Sequence, residues 1–352
     1  MKTEMKKSAV APTIAIVGAT GAVGEELLRL IDQRGFAYSS LSLVASARSA
    51  GKRVAFQGKE HAVEPLEAFD FSKADIAFFS AGTSVSKVAV DRAAKEGALI
   101  IDNTNAFRMA QGVPLVVPQV NAHVLESRPE RGIVANPNCS TIQMVRAVAP
   151  IRERYGVRQI VASTYQAASG AGKSAIAELY ANTEDLVLGR EERPAVRFAA
   201  NLAFNVVPQI DVLLESGFSL EEQKMVQETR KILDAPDLQV TATAVRVPVV
   251  HCHSEAVYIE CERDVDRAGV VRALSSAPEL RVHGEGHGVF PTPRFLDPED
   301  HVHVGRIRVN PDNPRGLWLW VVAHNLLVGA ALNAIQIAEH VRDRYAWRSL
   351  AA

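Results

Sequence analysis

The chain has 352 residues, with 39 Lys+Arg against 40 Asp+Glu and 47% hydrophobic residues. That length suits two domains, the composition fits a soluble globular protein with a large core, and a net charge of -1 offers no footing for nucleic acid or an anionic membrane surface. Three cysteines, Cys139, Cys252 and Cys261, cannot make a disulfide framework, which fits a reducing cytoplasm.

In chain order, the first segment puts basic residues ahead of an apolar run and so mimics a secretory signal. Pro12 interrupts that run and it feeds straight into a glycine turn, so the segment reads as mature structure. "TIAIV" is a short buried strand, "GEELLRLIDQRG" a helix closed by Gly35, and "SSLSLVAS" and "DIAFFSA" are further strands. "SVSKVAVDRAAKEG" is a helix closed by Gly97, and "ALIIDNT" is another strand. Short apolar strands alternating with helices predict an α/β fold, a Rossmann-like doubly wound parallel sheet over residues 1–138. From residue 139 the character changes to β-rich stretches, "RQIVASTYQA" and "VTATAVRVPVVHCHSEAVYIECE", with Pro- and Gly-rich loops. These predict a second, α+β domain over 139–324 with a mostly antiparallel sheet, in which "PELRVHGEGHGVFPTPRF" is loop. "LWLWVVAHNLLVGAALNAIQIA" is long enough to span a membrane, but His324, Asn325, Asn333 and Gln336 argue for a buried strand, a break and a packed helix. The closing segment, 325–352, is expected to return to the first domain.

Gly18, Gly21 and Gly24 stand between the first strand and the first helix. Glycine lets a backbone turn tightly and approach a pyrophosphate, which the free N–H groups at the helix start, around Ala22 and Val23, can hold. The spacing is GxxGxxG, with Thr20 where the second Gly of the usual GxGxxG stands. NAD sites carry an acid at the end of the second strand. Here "ASARSAGKR" has none and supplies Ser46, Arg48, Ser49 and Lys52, donors and positive charge suited to a 2′-phosphate, so NADP is the expected cofactor.

"ANPNCSTIQMV" places Cys139 after a tight turn and before a helix that Ser140 or Thr141 can start. A thiol at a helix N-terminus feels the positive end of the dipole, which favours the thiolate. Cys252 and Cys261 lie in an alternating β run and read as inert core thiols. A nucleophilic thiolate beside a nicotinamide suggests a thioester or thiohemiacetal exchanging hydride with the cofactor.

With these residues in view, the chain resembles the aspartate-semialdehyde dehydrogenase family over nearly its full length. The matching stretches include "GATGAVGEELL", "VASARSAGK", "NTNAFRM", "PNCSTIQMV", "TYQAASGAGKSAIAEL", "EEQKMVQETRKIL", "RVPVVHCHSEAV" and "NLLVGAALNAIQIAEH". The resemblance implies NADPH-dependent reduction of L-aspartyl 4-phosphate to L-aspartate 4-semialdehyde and phosphate, a step toward lysine, threonine and methionine. It implies Cys139 as nucleophile, Gln166 as the glutamine that orients the reacting group, and His253 as acid/base. Arg246 would hold the substrate carboxylate and Glu221 the ammonium, while Lys224, Arg108 and Asn138 would bind the phosphate. Ser80, Gly82, Thr83 and Asn325, with Ser169 and Gly170 in the "AASGAGKS" loop, would make further cofactor contacts. A homodimer or homotetramer formed through the second domain is implied, with no metal.

The chain departs from the family pattern in two places. Cys252 stands where Gly usually precedes the histidine, and His324-Asn325 replaces Asp-Asn. If 251–253 are in a strand, His251 shares a face with His253 and rivals it, and the spacing from Arg246 selects His253. "AASGAGKS" nearly matches GxxxxGK(S/T), but Ala167 occupies the first glycine. His251-x-His253 and His301-x-His303 have strand spacing and could meet at a metal, yet no acid or Cys set accompanies them. Two rival functions are an N-acetyl-glutamyl-phosphate reductase, whose substrate has no free amine for Glu221 to meet, and a non-catalytic NADP-binding protein.

Overall fold

A computed structural model describes residues 11–284 and 286–347. The signal-like residues 1–10 and the last five residues of the closing segment lie outside the described residues. The chain divides into two compact units, Met1–Pro137 with Ala330–Ala352, and Asn138–Gly329.

The first unit runs β1 (Thr13–Val17), α1 (Ala22–Gln33), β2 (Ser40–Ala45), β3 (Arg53–Phe56), β4 (Lys59–Pro65), β5 (Ile76–Phe79), α2 (Thr83–Lys95), β6 (Leu99–Asp102), a single-turn α3 (Pro118–Asn121) and β7 (Ile133–Ala135). Its sheet has the order β3-β4-β2-β1-β5-β6-β7, parallel throughout except for the β3–β4 pair at one edge. Every residue of β1, β5, β6 and β7 is buried, as expected of parallel strands covered on both faces. The β3–β4 hairpin was not singled out from the sequence. Its turn is Gln57-Gly58, both at positive φ (49° and 72°), the conformation two-residue hairpin loops favour. The strand order reverses between β1 and β5, so the loops after these two strands mark the topological switch point, where ligands bind in open α/β sheets.

The second unit runs α4 (Cys139–Tyr155), β8 (Gln159–Gln166), α5 (Lys173–Val187), α6 (Leu220–Ile232), β9 (Gln239–Arg246), β10 (His253–Glu260), α7 (Arg267–Ser275), β11 (Leu280–Val282), β12 (Val302–Asn310) and β13 (Asn313–Ala323). Its sheet has the order β11-β12-β13-β10-β8-β9, with β11–β12 and β8–β9 parallel and the remaining pairs antiparallel. The stretch expected to be loop therefore contributes one edge strand, β11. The odd-numbered residues of β10 are buried toward the helices, whereas Ala256, Tyr258 and Glu260 on its other face are only partly buried. That face also carries Tyr165, Trp318 and Trp320 in aromatic contact.

The expected break after β13 holds a π-turn at Leu327–Ala331, and α8 (Leu332–Arg342) follows in the first unit. The polar residues that argued against a membrane span have partners there. Asn333 donates to Val116 O (2.8 Å) and Asn136 Oδ1 (2.6 Å), and Gln336 accepts from Gln119 (2.8 Å). No helix among the described residues is long and apolar enough to cross a membrane.

Candidate active site

In the first unit, Gly18 takes φ +91° and its N–H donates to Val44 O at 2.8 Å, pinning the glycine turn to the end of β2. A Cβ on Gly18 would lie 2.9 Å from Ala81 N, and one on Gly24 only 2.3 Å from Gly18 O, so both positions need glycine. Gly21 stands at the N-cap of α1 and no side chain caps the helix; the same is true of Gly82 (φ +97°) before α2. Thr20 Oγ1 reaches Ser49 Oγ at 3.4 Å, so the glycine turn and the Ser46–Arg48–Ser49 turn lie side by side. Ser80 donates to Val17 O (3.2 Å) and Thr83 to Asn105 Oδ1 (2.6 Å) at the neighbouring loop. A glycine-rich turn, two helix starts without a side-chain cap and an adjacent Ser/Arg turn fit a dinucleotide with a 2′-phosphate. Arg108 donates from Nε to Asn136 O and from Nη2 to Asn103 O, both 2.9 Å, and so braces backbone within this unit.

In the second unit, α4 begins at Cys139 itself. The cap is Asn138, not Ser140 or Thr141, because its extended backbone and short amide let Oδ1 accept from Ser140 N (2.9 Å) and Thr141 N (3.4 Å). Asn138 Nδ2 donates to Glu221 Oε1 at 2.8 Å, and Asn138 N donates to Glu228 Oε2 at 2.6 Å. The expected phosphate ligand thus holds the helix that starts at Cys139 to α6. The backbone of Gly329 comes so close that a Cβ there would lie 2.6 Å from Cys139 Cβ, a packing requirement the glycine pattern alone did not reveal.

Cys139 Sγ lies 3.2 Å from His253 Nε2. His253 is fully buried, and its Nδ1 accepts the Ala167 backbone N–H at 3.0 Å, so the proton of the neutral ring sits on Nε2 and faces the sulfur. Burial, reinforced by the charges of Arg246 and His324, holds its pKa well below the ordinary histidine value. Arg246 closes β9 beside Gln166 at the end of β8, and its Nη1 donates to Ala167 O at 2.6 Å. Gln166 Nε2 donates to Glu221 Oε1 (3.2 Å), while Glu221 Oε2 takes Lys224 Nζ (3.3 Å), which also meets Asp211 (2.7 Å). One cluster therefore holds Cys139, His253, Gln166, Arg246, Glu221, Lys224 and Asn138. Gly170, expected at the cofactor, lies against Arg246 and His253.

His251 does not share a strand face with His253. β10 starts only at His253, and Cys252 turns the chain at φ +70°, so His251 stacks instead on His324 with ring centroids 5.3 Å apart. Cys252 takes the left-handed conformation that suits glycine, with its N–H held by Asn325 Oδ1 at 3.0 Å. Asn325 and Ser169, both expected at the cofactor, exchange hydrogen bonds of 2.9 and 3.1 Å. Burial pushes the Cys252 thiol up to about 12 and the Cys261 thiol to about 11, which fits inert core thiols. His303 pairs with His283 (2.8 Å), a residue of the stretch read as loop. In "AASGAGKS", Ala168–Ala171 form a single 3-10 turn, and Lys173 and Ser174 open α5.

Residues 13–128 match the family model "Semialdehyde dehydrogenase, NAD binding domain", and residues 148–328 match "Semialdehyde dehydrogenase, dimerisation domain". The chain is 45% identical to the aspartate-semialdehyde dehydrogenase of Bacillus subtilis, across 94% of this chain and 97% of that one. The chain belongs to the aspartate-semialdehyde dehydrogenase family. The family member of Aquifex aeolicus is likewise 45% identical, across 93% of this chain and 96% of its own. In structure, aspartate-semialdehyde dehydrogenase II of Vibrio cholerae superposes with a TM-score of 0.92 at 44% identity, covering 95% of this chain and 100% of that one. The same enzyme complexed with ASA also gives 0.92, at 43% identity. These relatives favour an aspartate-semialdehyde dehydrogenase over the acetylglutamyl-phosphate reductase and the non-catalytic protein weighed from the sequence.

Proposed function

We propose that the chain reduces L-aspartyl 4-phosphate to L-aspartate 4-semialdehyde and phosphate with NADPH, and runs the reverse, phosphate-dependent oxidation. The observation that carries this reading is the 3.2 Å approach of Cys139 Sγ to His253 Nε2 at the start of α4. When bound, the nicotinamide supplies the hydride that reduces the acyl carbon. The Cys139 sulfur attacks the acyl phosphate carbon, the carbon–oxygen bond to phosphate breaks, and a thioester remains on Cys139. After reduction the carbonyl oxygen carries negative charge, and the Nε2–H of His253 faces the sulfur beside it, in position to give that oxygen a hydrogen bond. The carbon–sulfur bond then breaks, releasing the aldehyde and restoring the thiolate.

Arg246 suits the substrate carboxylate with a two-pronged contact, and the buried Glu221 suits its ammonium group. Lys224 supplies a cation for the phosphate. In the first unit, Arg48 and Ser49 supply the donors for a 2′-phosphate, which favours NADP. The match to a dimerisation domain, and the exposed Tyr165 on the open face of the second sheet, support a homodimer or homotetramer. Three free cysteines support a cytoplasmic location. The direct test is L-aspartate 4-semialdehyde with NADP and inorganic phosphate, followed by NADPH absorbance. Turnover that requires phosphate and is absent from Cys139→Ala supports the reading; phosphate-independent turnover would overturn it.

A further inference from the structure

Glu255 is fully buried and sits two residues beyond His253 on the same, helix-facing side of β10. Neither of its carboxyl oxygens makes a hydrogen bond of full bonding geometry among the described residues, and the side chain that acts on them is the Gln143 amide. Among the described residues no cation acts on it, so an ionised carboxylate in such a place would have only the Gln143 amide to offset its burial. Burial raises its pKa well above the ordinary carboxylate range, and the side-chain amide of Gln143 opposes that shift.

Gln143 is the link to the site. It stands one helical turn after Cys139 in α4, is itself buried, and its Nε2 donates to the backbone carbonyl of His253 at 3.4 Å. A carbonyl can only accept, so this contact fixes which end of the amide faces His253. It leaves Gln143 Oε1, an acceptor, without a donor. A proton on Glu255 supplies the missing donor and removes the uncompensated charge in the same step. Two buried side chains with unmet hydrogen-bonding capacity then satisfy each other.

We propose that Glu255 is held as a neutral carboxylic acid that donates to Gln143, and that through Gln143 it locks the backbone of His253 against the helix starting at Cys139. It is a positioning residue. It touches neither substrate nor cofactor, and it acts by keeping the sulfur and Nε2 at their separation. The inference rests on the proposed reaction only for its kinetic readout.

The experiment compares Glu255→Gln, Glu255→Leu and Gln143→Leu with the parent in the full-length protein. Glutamine has the same shape and a neutral donor, so Glu255→Gln should keep kcat and KM within about threefold and leave the kcat–pH profile in place. Glu255→Leu and Gln143→Leu, which break the chain, should lower kcat about tenfold or more with KM little changed, as expected when the reacting groups are misplaced. A Glu255→Gln enzyme as impaired as Glu255→Leu, or one with a displaced pH profile, would show that the charge matters and overturn the proposal. Full activity in Glu255→Leu would overturn it as well. Infrared spectroscopy near neutral pH decides even where the leucine variants fail to fold. The parent should show a neutral carboxylic-acid carbonyl band that Glu255→Gln lacks, and spectra identical in that region would refute the neutral acid. That measurement needs no turnover, so it stands apart from any failure of the proposed activity.

Discussion

Gly170→Ala is the sharpest single test of the substrate site. A methyl carbon there would lie 3.0 Å from Arg246 Nη1, 3.3 Å from His253 Cε1 and 3.4 Å from His253 Nε2. Gly170 is not among the glycines at positive φ, so the backbone accepts alanine, and the atoms met belong to side chains. Carbon contacts are comfortable at about 3.5–4.0 Å, so the guanidinium has to withdraw by roughly 0.5 Å. Arg246 Nη1 is already tied to Ala167 O at 2.6 Å and has little room to give. If the substrate carboxylate loses one of its two charge-assisted hydrogen bonds, the cost is about 1.5–3 kcal/mol, or roughly 10–150-fold in kcat/KM. Stability should hold or rise slightly, since Gly→Ala at a compatible backbone gains about 0.4–1 kcal/mol. Initial rates at varied aldehyde and saturating phosphate, with a thermal melt alongside, measure both. A kcat/KM within threefold of the parent would refute the placement of the substrate carboxylate between Arg246 and His253.

His253→Ala should lower kcat by about 10²–10⁴-fold with a small change in KM, Arg246→Lys should raise KM first, and His251→Ala should be mild in both; steady-state kinetics with circular dichroism on the three variants checks this, and a severe His251→Ala would exchange the roles. Arg48→Ala should weaken NADPH far more than NADH, because only NADPH carries the charge it meets; fluorescence titration of both cofactors reads it, and equal losses would sink the 2′-phosphate assignment. With Cys252 pushed up to about 12 and Cys261 to about 11, both stay protonated at pH 8, so iodoacetamide should modify Cys139 in the native protein and leave the other two until it unfolds, as peptide mass mapping would show.

Much of the first unit was legible because its central strands are short, mostly apolar and separated by helices, the pattern a buried parallel sheet imposes. The β3–β4 hairpin escaped because the edge strand β3 has only four residues and its partner β4 is largely polar, with Lys59 and Glu60 directly after the turn. In the second unit the stretches holding β8, β9, β10 and β13 were legible, but β11 and β12 were not, and neither were the strand partners. β9 and β10 follow each other in sequence, yet β8 lies between them, and pairing across a sheet leaves no mark on the alternation of a single strand. The reading of His251 failed for a local reason. Alternation assumes extended backbone, and Cys252 at φ +70° breaks it one residue before β10 begins. The family's glycine at that position is the signal that the chain turns there.

The topology explains why these residues meet. β8 and β9 are parallel and in register from Gln159↔Gln239 to Gln166↔Arg246, so their last residues, Gln166 and Arg246, emerge at the same end of the sheet. β10 runs antiparallel to β8, with Ser254 opposite Tyr165, so its first residue, His253, lies at that end too. Chain direction thus delivers a donor amide, a guanidinium and an imidazole to one edge from three strands. The segment leaving β8 supplies Ala167, whose N–H goes to His253 and whose carbonyl goes to Arg246. One peptide segment therefore sets both the tautomer of the histidine and the reach of the arginine. Two helix starts complete the group, α4 bringing Cys139 and α6 bringing Glu221, and Asn138 joins them by capping the first and donating to the second. The positively polarised ends of both helices thus converge near Cys139, where the proposed reaction would place negative charge on the sulfur and on the reduced carbonyl oxygen.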